Sequence, residues 1–141
     1  MYVVAEPNAY QYTLTTAYDL TTASYASKSF AFNTQSTSVL AIAFNSDGTK
    51  MYGISYVDKT VYQYVLSTAY DISTASYDSK SFSVNGQETN PYNLTFNSNG
   101  TKMFVIGTSG DDVNEYALSS ADDVSTASFT TNFSVATQET T

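Results

Sequence analysis

Two carboxylate doublets, Asp111-Asp112 and Asp122-Asp123, are the residues best suited by type and spacing to acid–base work. Paired carboxyls can divide the roles of general acid and general base. Asp58, Asp111 and Asp112 also offer oxygen ligands that, with backbone carbonyls, would suit a hard cation such as calcium, although their spacing does not match an EF-hand loop. Triad-type nucleophilic catalysis is a different matter. The chain has neither histidine nor cysteine, so the usual base for a serine or threonine, and the thiol nucleophile itself, are both missing. The remaining chemically suggestive group is the set of thirteen tyrosines, since exposed rings stack on sugars and anchor protein contacts. Tyr10, Tyr56 and Tyr92 are the candidates for a surface contact, the first two lying beside or near a turn.

These residues are positioned by a repeat. Phe44-Asn45-Ser46-Asp47-Gly48-Thr49-Lys50-Met51-Tyr52 recurs as Phe96-Asn97-Ser98-Asn99-Gly100-Thr101-Lys102-Met103-Phe104, and Tyr12, Tyr64 and Tyr116 keep the same step of 52 residues. A period of this length marks a repeat architecture. It also lowers the claim of the doublets to chemistry: Asp111 and Asp112 stand where the central copy has Lys59 and Thr60, and Asp122 where it has Tyr70. Acids confined to one copy are expected to be solvated turn formers. Asp19, Asp71 and Asp123 instead recur ahead of Ser or Thr, where they would close Asx turns or cap a helical turn. A repeated ligand-binding acid is the alternative. Tyr10, Tyr56 and Tyr92 match the repeat less regularly than Tyr12, Tyr64 and Tyr116, which are expected to pack between units.

Within the central copy, residues 38–89, four segments have strand character. Val39 to Phe44 is apolar on both faces, as a strand covered on both sides would be. Asn45-Ser46-Asp47-Gly48 reads as a tight hairpin, with Gly48 free to take positive φ and Asp47 or Asn99 bonding the local backbone. Lys50 to Tyr56 places Met51, Gly53 and Ser55 on one face and Tyr52, Ile54 and Tyr56 on the other. Thr60 to Leu66 alternates Tyr62, Tyr64 and Leu66 against Val61, Gln63 and Val65; Lys80 to Val84 keeps only Phe82 and Val84 as large apolar residues. A long connection, Ser67 to Tyr77, separates the last two and is matched by Thr15 to Tyr25 and Ser119 to Phe129. The pattern predicts burial declining from the first strand to the fourth.

A four-stranded antiparallel unit of this period, with an enclosed inner strand and a solvated outer one, is what a propeller blade requires. Free-standing immunoglobulin-type sandwiches need roughly 100 residues each. The expectation is an all-β chain of about three blades forming an incomplete ring: a partial blade at 1–37 and full blades at 38–89 and 90–141, in one repeat domain.

The phrase FNSDGTKMYGI followed by TVYQYVL, and its partner FNSNGTKMFVIG followed by DDVNEYAL, resemble the repeats of YVTN or lactonase-like β-propellers. They are more closely similar to the Ser/Thr-rich propeller repeats of bacterial and phage surface proteins. The resemblance covers nearly the whole chain and implies a blade rather than an activity, since propellers host enzymes, scaffolds and lectin-like binders alike. It also implies an extracellular, cell-surface or virion setting. The catalytic acids, histidines and metal ligands of lactonase-like enzymes find no match here, so neither catalysis nor a cofactor is expected. The alternative is a fragment of a lactonase- or hydrolase-like propeller enzyme whose catalytic residues lie in other blades.

Met1-Tyr2-Val3-Val4 matches Met51-Tyr52-Gly53-Ile54, so the chain opens in a second strand; Gln138-Glu139-Thr140-Thr141 matches Gln87-Glu88-Thr89-Asn90, just before the segment that would be the next inner strand. Closed propellers have four or more blades. The expectation is a fragment of a longer ring whose isolated form self-associates, with a homo-oligomer that completes a ring as a further outcome.

Composition agrees with a globular β protein: 42% of residues are hydrophobic, 15% aromatic, and Ser plus Thr number 41 of 141. A net charge of −8 with five singly spaced lysines argues against nucleic acid. No run of 18 apolar residues suggests membrane insertion. Protein or glycan partners remain.

Overall fold

The computed structural model describes residues 1–138. Three antiparallel sheets follow one another along the chain. The first contains β1 (Tyr2–Ala5), β2 (Asn8–Leu14) and β3 (Ala23–Ala31). The second contains β4 (Val39–Phe44), β5 (Lys50–Ser55), β6 (Thr60–Leu66) and β7 (Ala75–Ser83). The third contains β8 (Pro91–Phe96), β9 (Lys102–Gly107), β10 (Asp112–Leu118) and β11 (Ala127–Ser134). Each sheet is a meander in sequence order, so each is a blade of the expected kind, and the first lacks an inner strand. The match of the last residues to Gln87–Asn90 falls, beyond Gln138, outside the described residues.

The hairpin chemistry is as read. Gly48 and Gly100 have φ of 72° and 68°, a region that favours glycine. Asp47 Oδ1 accepts hydrogen bonds from the Thr49 amide at 2.9 Å and the Thr49 hydroxyl at 2.6 Å, and Asn99 does the same for Thr101. A Cβ at either glycine would collide with the residue that opens the next loop, Tyr70 or Asp122, so the two turns of each blade interlock.

Strand alternation sends the two faces of each blade to different neighbours. Met51, Tyr64, Leu66 and Ile72 pack with Phe32 and Ala9 of the first blade, whereas Tyr52, Ile54, Val61 and Val84 pack with Leu94, Met103, Tyr116 and Val124 of the third. The molecule therefore has two cores, one per junction. The inner elements line up, with β1 beside β4 and β4 beside β8.

Two expectations are corrected. Burial does not decline from the inner strand: β5 is buried at Met51, Tyr52, Gly53, Ile54 and Ser55, while β4 is buried only at Val39 and half-buried elsewhere. The second and third strands lie over the junction cores. The inner strand flanks an open arc. The connection between third and fourth strands is also shorter than expected, because Ala75 to Ser79 extend β7 and only Ile72–Thr74 forms a 3-10 turn. A register break in the ladder, with Gln63 opposite Lys80 and Tyr64 opposite Tyr77, absorbs the residues that looked like loop.

Candidate functional site

The recurring acids are fastened to the backbone. Asp19, Asp71 and Asp123 each cap a 3-10 turn, accepting from the amides of Thr21, Ser73 and Ser125. Two of them also reach back to the preceding blade: Lys28 Nζ lies 2.6 Å from Asp71 Oδ2, and Lys80 Nζ 2.7 Å from Asp123 Oδ2. The Lys28 ammonium and the Ser73 hydroxyl hold the Asp71 carboxyl below the usual range. At Asp123 partial burial pushes the carboxyl up, but the bonds from Lys80 and Ser125 outweigh it and the net shift is downward. These acids serve as turn locks and blade clasps.

The proposed cation ligands do not assemble. Asp58 sits in the β5–β6 turn, bonded to Ser55 Oγ at 2.8 Å, whereas Asp111 lies in the β9–β10 turn of the next blade and Asp112 opens β10, buried and so not the solvated turn former expected. Among the described residues no group of three or more Asp or Glu could hold a metal ion. Asp111 takes φ of 47°, as Lys59 takes 51° at the matching place, and its carbonyl accepts from the Val135 amide at 2.7 Å. Asp112 accepts from Asn114 Nδ2 at 2.7 Å and Asn132 Nδ2 at 2.5 Å. The doublet is confined to one blade because the equivalent places in the other two are filled by other turn chemistry.

Two of the three candidate tyrosines do meet. Tyr56 opens the β5–β6 turn and Tyr92 is the second residue of β8, and their rings stand edge to face with centroids 5.7 Å apart. A bulge brings this about: Pro91 pairs with Gly107 and Asn93 with Ile106, leaving Tyr92 without a cross-strand partner. Tyr92 is 48% exposed. The Lys59 ammonium lies 5.5 Å from the Tyr56 ring centroid, within cation–π range. Lys59 was not foreseen, since only its left-handed turn geometry places it there. Tyr10 lies apart, in the first blade, against Tyr25 at 6.1 Å. It is a regular member of the repeat, because Tyr62 and Tyr77 make the same contact at 6.1 Å.

Tyr12, Tyr64 and Tyr116 divide. Tyr64 and Tyr116 are fully buried between blades, edge to face with Phe30 at 5.0 Å and Phe82 at 5.4 Å. Burial, then the charges of Asp112 and Glu88, push the Tyr116 phenol up to about 12. Tyr12 has no blade over it and stays half-buried.

No family model and no curated protein matches the chain. Solved structures do match. A functionally unknown protein from Desulfotomaculum acetoxidans aligns with a TM-score of 0.57 at 13% identity, over 91% of this chain and 35% of that one. A "putative 6-phosphogluconolactonase" from Bacteroides fragilis gives 0.59 at 12% identity, over 90% and 35%. A protein from Lactobacillus plantarum gives 0.59 at 12%, over 91% and 36%. This is a propeller-type fold. The chain spans about a third of the length of these propeller-type structures, and at such identity the likeness concerns blades and not activity.

Proposed function

We propose that this propeller segment is a non-enzymatic structural and binding module, and that its contact surface is the Tyr56–Tyr92 pair with Lys59 at its rim. The observation that carries the reading is the bulge that turns Tyr92 outward beside Tyr56 at the exposed end of a blade junction. A rigid junction with two aromatic rings and one ammonium suits a glycan: the rings cover sugar C–H faces and the ammonium donates to hydroxyls. A protein partner anchored on the same rings is the second version. The engagement of Asp47, Asp58, Asp71 and Asp123 in their own turns, and of Asp112 by two strand asparagines, favours architecture over acid–base chemistry for these carboxylates. A surface, secreted or virion-associated setting follows the resemblance of the repeats.

The test is a glycan array followed by titration of any hit, with Tyr92→Ala and Tyr56→Ala alongside the parent. Binding that falls at least tenfold in both variants, with unchanged thermal unfolding, is the expected result. A folded protein silent on the array, or binding indifferent to both tyrosines, overturns the glycan version. The likeness to a "putative 6-phosphogluconolactonase" motivates a second reading, a piece of a lactonase-like enzyme whose reacting groups lie in other blades. Turnover of a sugar lactone by this chain alone, lost in Asp111→Asn, would replace the first reading with an enzymatic one.

A further inference from the structure

The two internal junctions are built from one pair of faces, and the outer blades leave one of each uncovered. The receiving face of the second blade is Met51, Tyr64, Leu66 and Ile72; that of the third is Met103, Tyr116, Leu118 and Val124. All eight are buried, none more than 6% exposed. Their counterparts on the first blade are Met1, Tyr12, Leu14 and Leu20, which line an open pocket where Leu20 is 69% exposed. The covering face runs the other way. Tyr2, Val4, Ala9, Phe30 and Phe32 cover the second blade, and Tyr52, Ile54, Val61, Phe82 and Val84 cover the third. Their counterparts on the third blade are Phe104, Ile106, Val113, Phe133 and Val135, with Ile106 43% and Phe133 70% exposed. Large apolar side chains left exposed side by side on a sheet face mark an interaction site.

We propose that the first blade of one copy docks on the third blade of a second copy, head to tail, through the same contact that joins the blades within the chain. The polar partners are in register for it. Gln11 and Gln63 Oε1 accept from the amides of Ile72 and Val124 on the following blade, and Glu115, another acceptor, holds that place opposite the Leu20 amide. Lys50 Nζ donates to the Asp122 carbonyl at 2.9 Å, and Lys102 holds the equivalent position for the carbonyl of Tyr18. In the single chain Lys102 Nζ and Glu115 Oε1 pair with each other at 3.0 Å, so docking must exchange that exposed ion pair for the two contacts with the second copy. The contact between copies is the weaker one. β11 has no lysine to pair with Asp19 as Lys28 pairs with Asp71, and Phe104 lacks the hydroxyl with which Tyr52 reaches the Asp122 carbonyl. Because the two faces differ, the association is heterologous, and it forms a ring if the rotation closes and a chain if it does not.

The experiment is light scattering across a concentration series on the parent chain, on Leu20→Asp, on Phe133→Asp and on their equimolar mixture. Both side chains are exposed, so both variants should keep the fold by circular dichroism; Ile106→Asp replaces Phe133→Asp if that variant does not. The expected result is an associating parent, two variants weakened at least tenfold, and a one-to-one heterodimer in the mixture, because each variant retains the face the other lost. Three results would each overturn the proposal. They are a parent that is monomeric at every concentration, a variant that self-associates like the parent, and a mixture that does not pair.

Discussion

At the first junction Phe30 and Phe32 close over Tyr64, and at the second Phe82 and Val84 close over Tyr116. Beneath this shared apolar contact the polar groups differ. The first junction holds Ser36 and Ser55, their hydroxyls 2.8 Å apart, with Asp58 bonded to Ser55. The second places Glu88 where Ser36 stands and Gly107 where Ser55 stands, and Glu88 accepts from the Asn90 amide at 2.7 Å and from Ser109. A Cβ on Gly107 would run into the Glu88 carboxyl and the Asn90 carbonyl. Two small polar residues at one junction do the work of one large and one absent side chain at the other. The point needs filled volume and satisfied backbone amides, and two unlike residue pairs provide both.

The apolar half of the comparison carries the largest expected effect. Tyr116→Ala removes a fully buried ring and should cost about 3–5 kcal/mol in urea unfolding. Tyr12→Ala, at the half-buried counterpart without a blade over it, should cost well under half as much; equal losses would mean that the junctions do not make the difference. Next comes the polar half. Gly107→Ser alone should destabilise by about 1–3 kcal/mol through overpacking, and adding Glu88→Ser should recover the part due to the Glu88 carboxyl but not the part due to the Asn90 carbonyl, which still meets the new Cβ. Additive losses in the double variant would break the equivalence.

Titration separates the clasps from the cores. The carboxyls of Asp47, Asp71 and Asp123 are held below their usual range in the fold. Their contribution is therefore complete above an unfolded value of about 4 and is lost as pH falls through the lowered folded values. The Tyr116 phenol is shifted the other way, to about 12. Its contribution is complete below about pH 10 and is lost as pH rises toward the folded value. Urea midpoints should accordingly fall at both ends of a pH series, and a Tyr116→Phe variant should lose part of the alkaline decline while keeping the acid one. The smallest effect belongs to the clasps themselves. Their lysine side chains are 38% and 34% exposed, so Lys28→Met or Lys80→Met should lower the urea midpoint only slightly, by less in high salt than in low.

The blades were legible because their signals are local. The positive-φ glycines, the Asx turns at Asp47 and Asn99, and the alternation that divides Met51 from Tyr52 follow from residue type and a period of two. Burial along the blade was not legible, since the apolar run at Val39 to Phe44 reads as enclosed whether or not neighbouring blades complete the arc. Of the candidate site, the sequence marked Tyr56 and Tyr92 but could not bring them together. Their meeting depends on a bulge beside Pro91 and on the docking of two blades. It grouped Asp58 with Asp111 and Asp112 because equivalent turns look alike in a repeat, although they stand on separate blades.

The claim on which the rest depends is that one ring-on-ring contact is used at both junctions. Double-mutant cycles on Phe30/Tyr64 and Phe82/Tyr116, read by urea unfolding, test it most directly. A coupling of about 0.5–1.5 kcal/mol is expected at each junction; additive losses at either would contradict a shared contact.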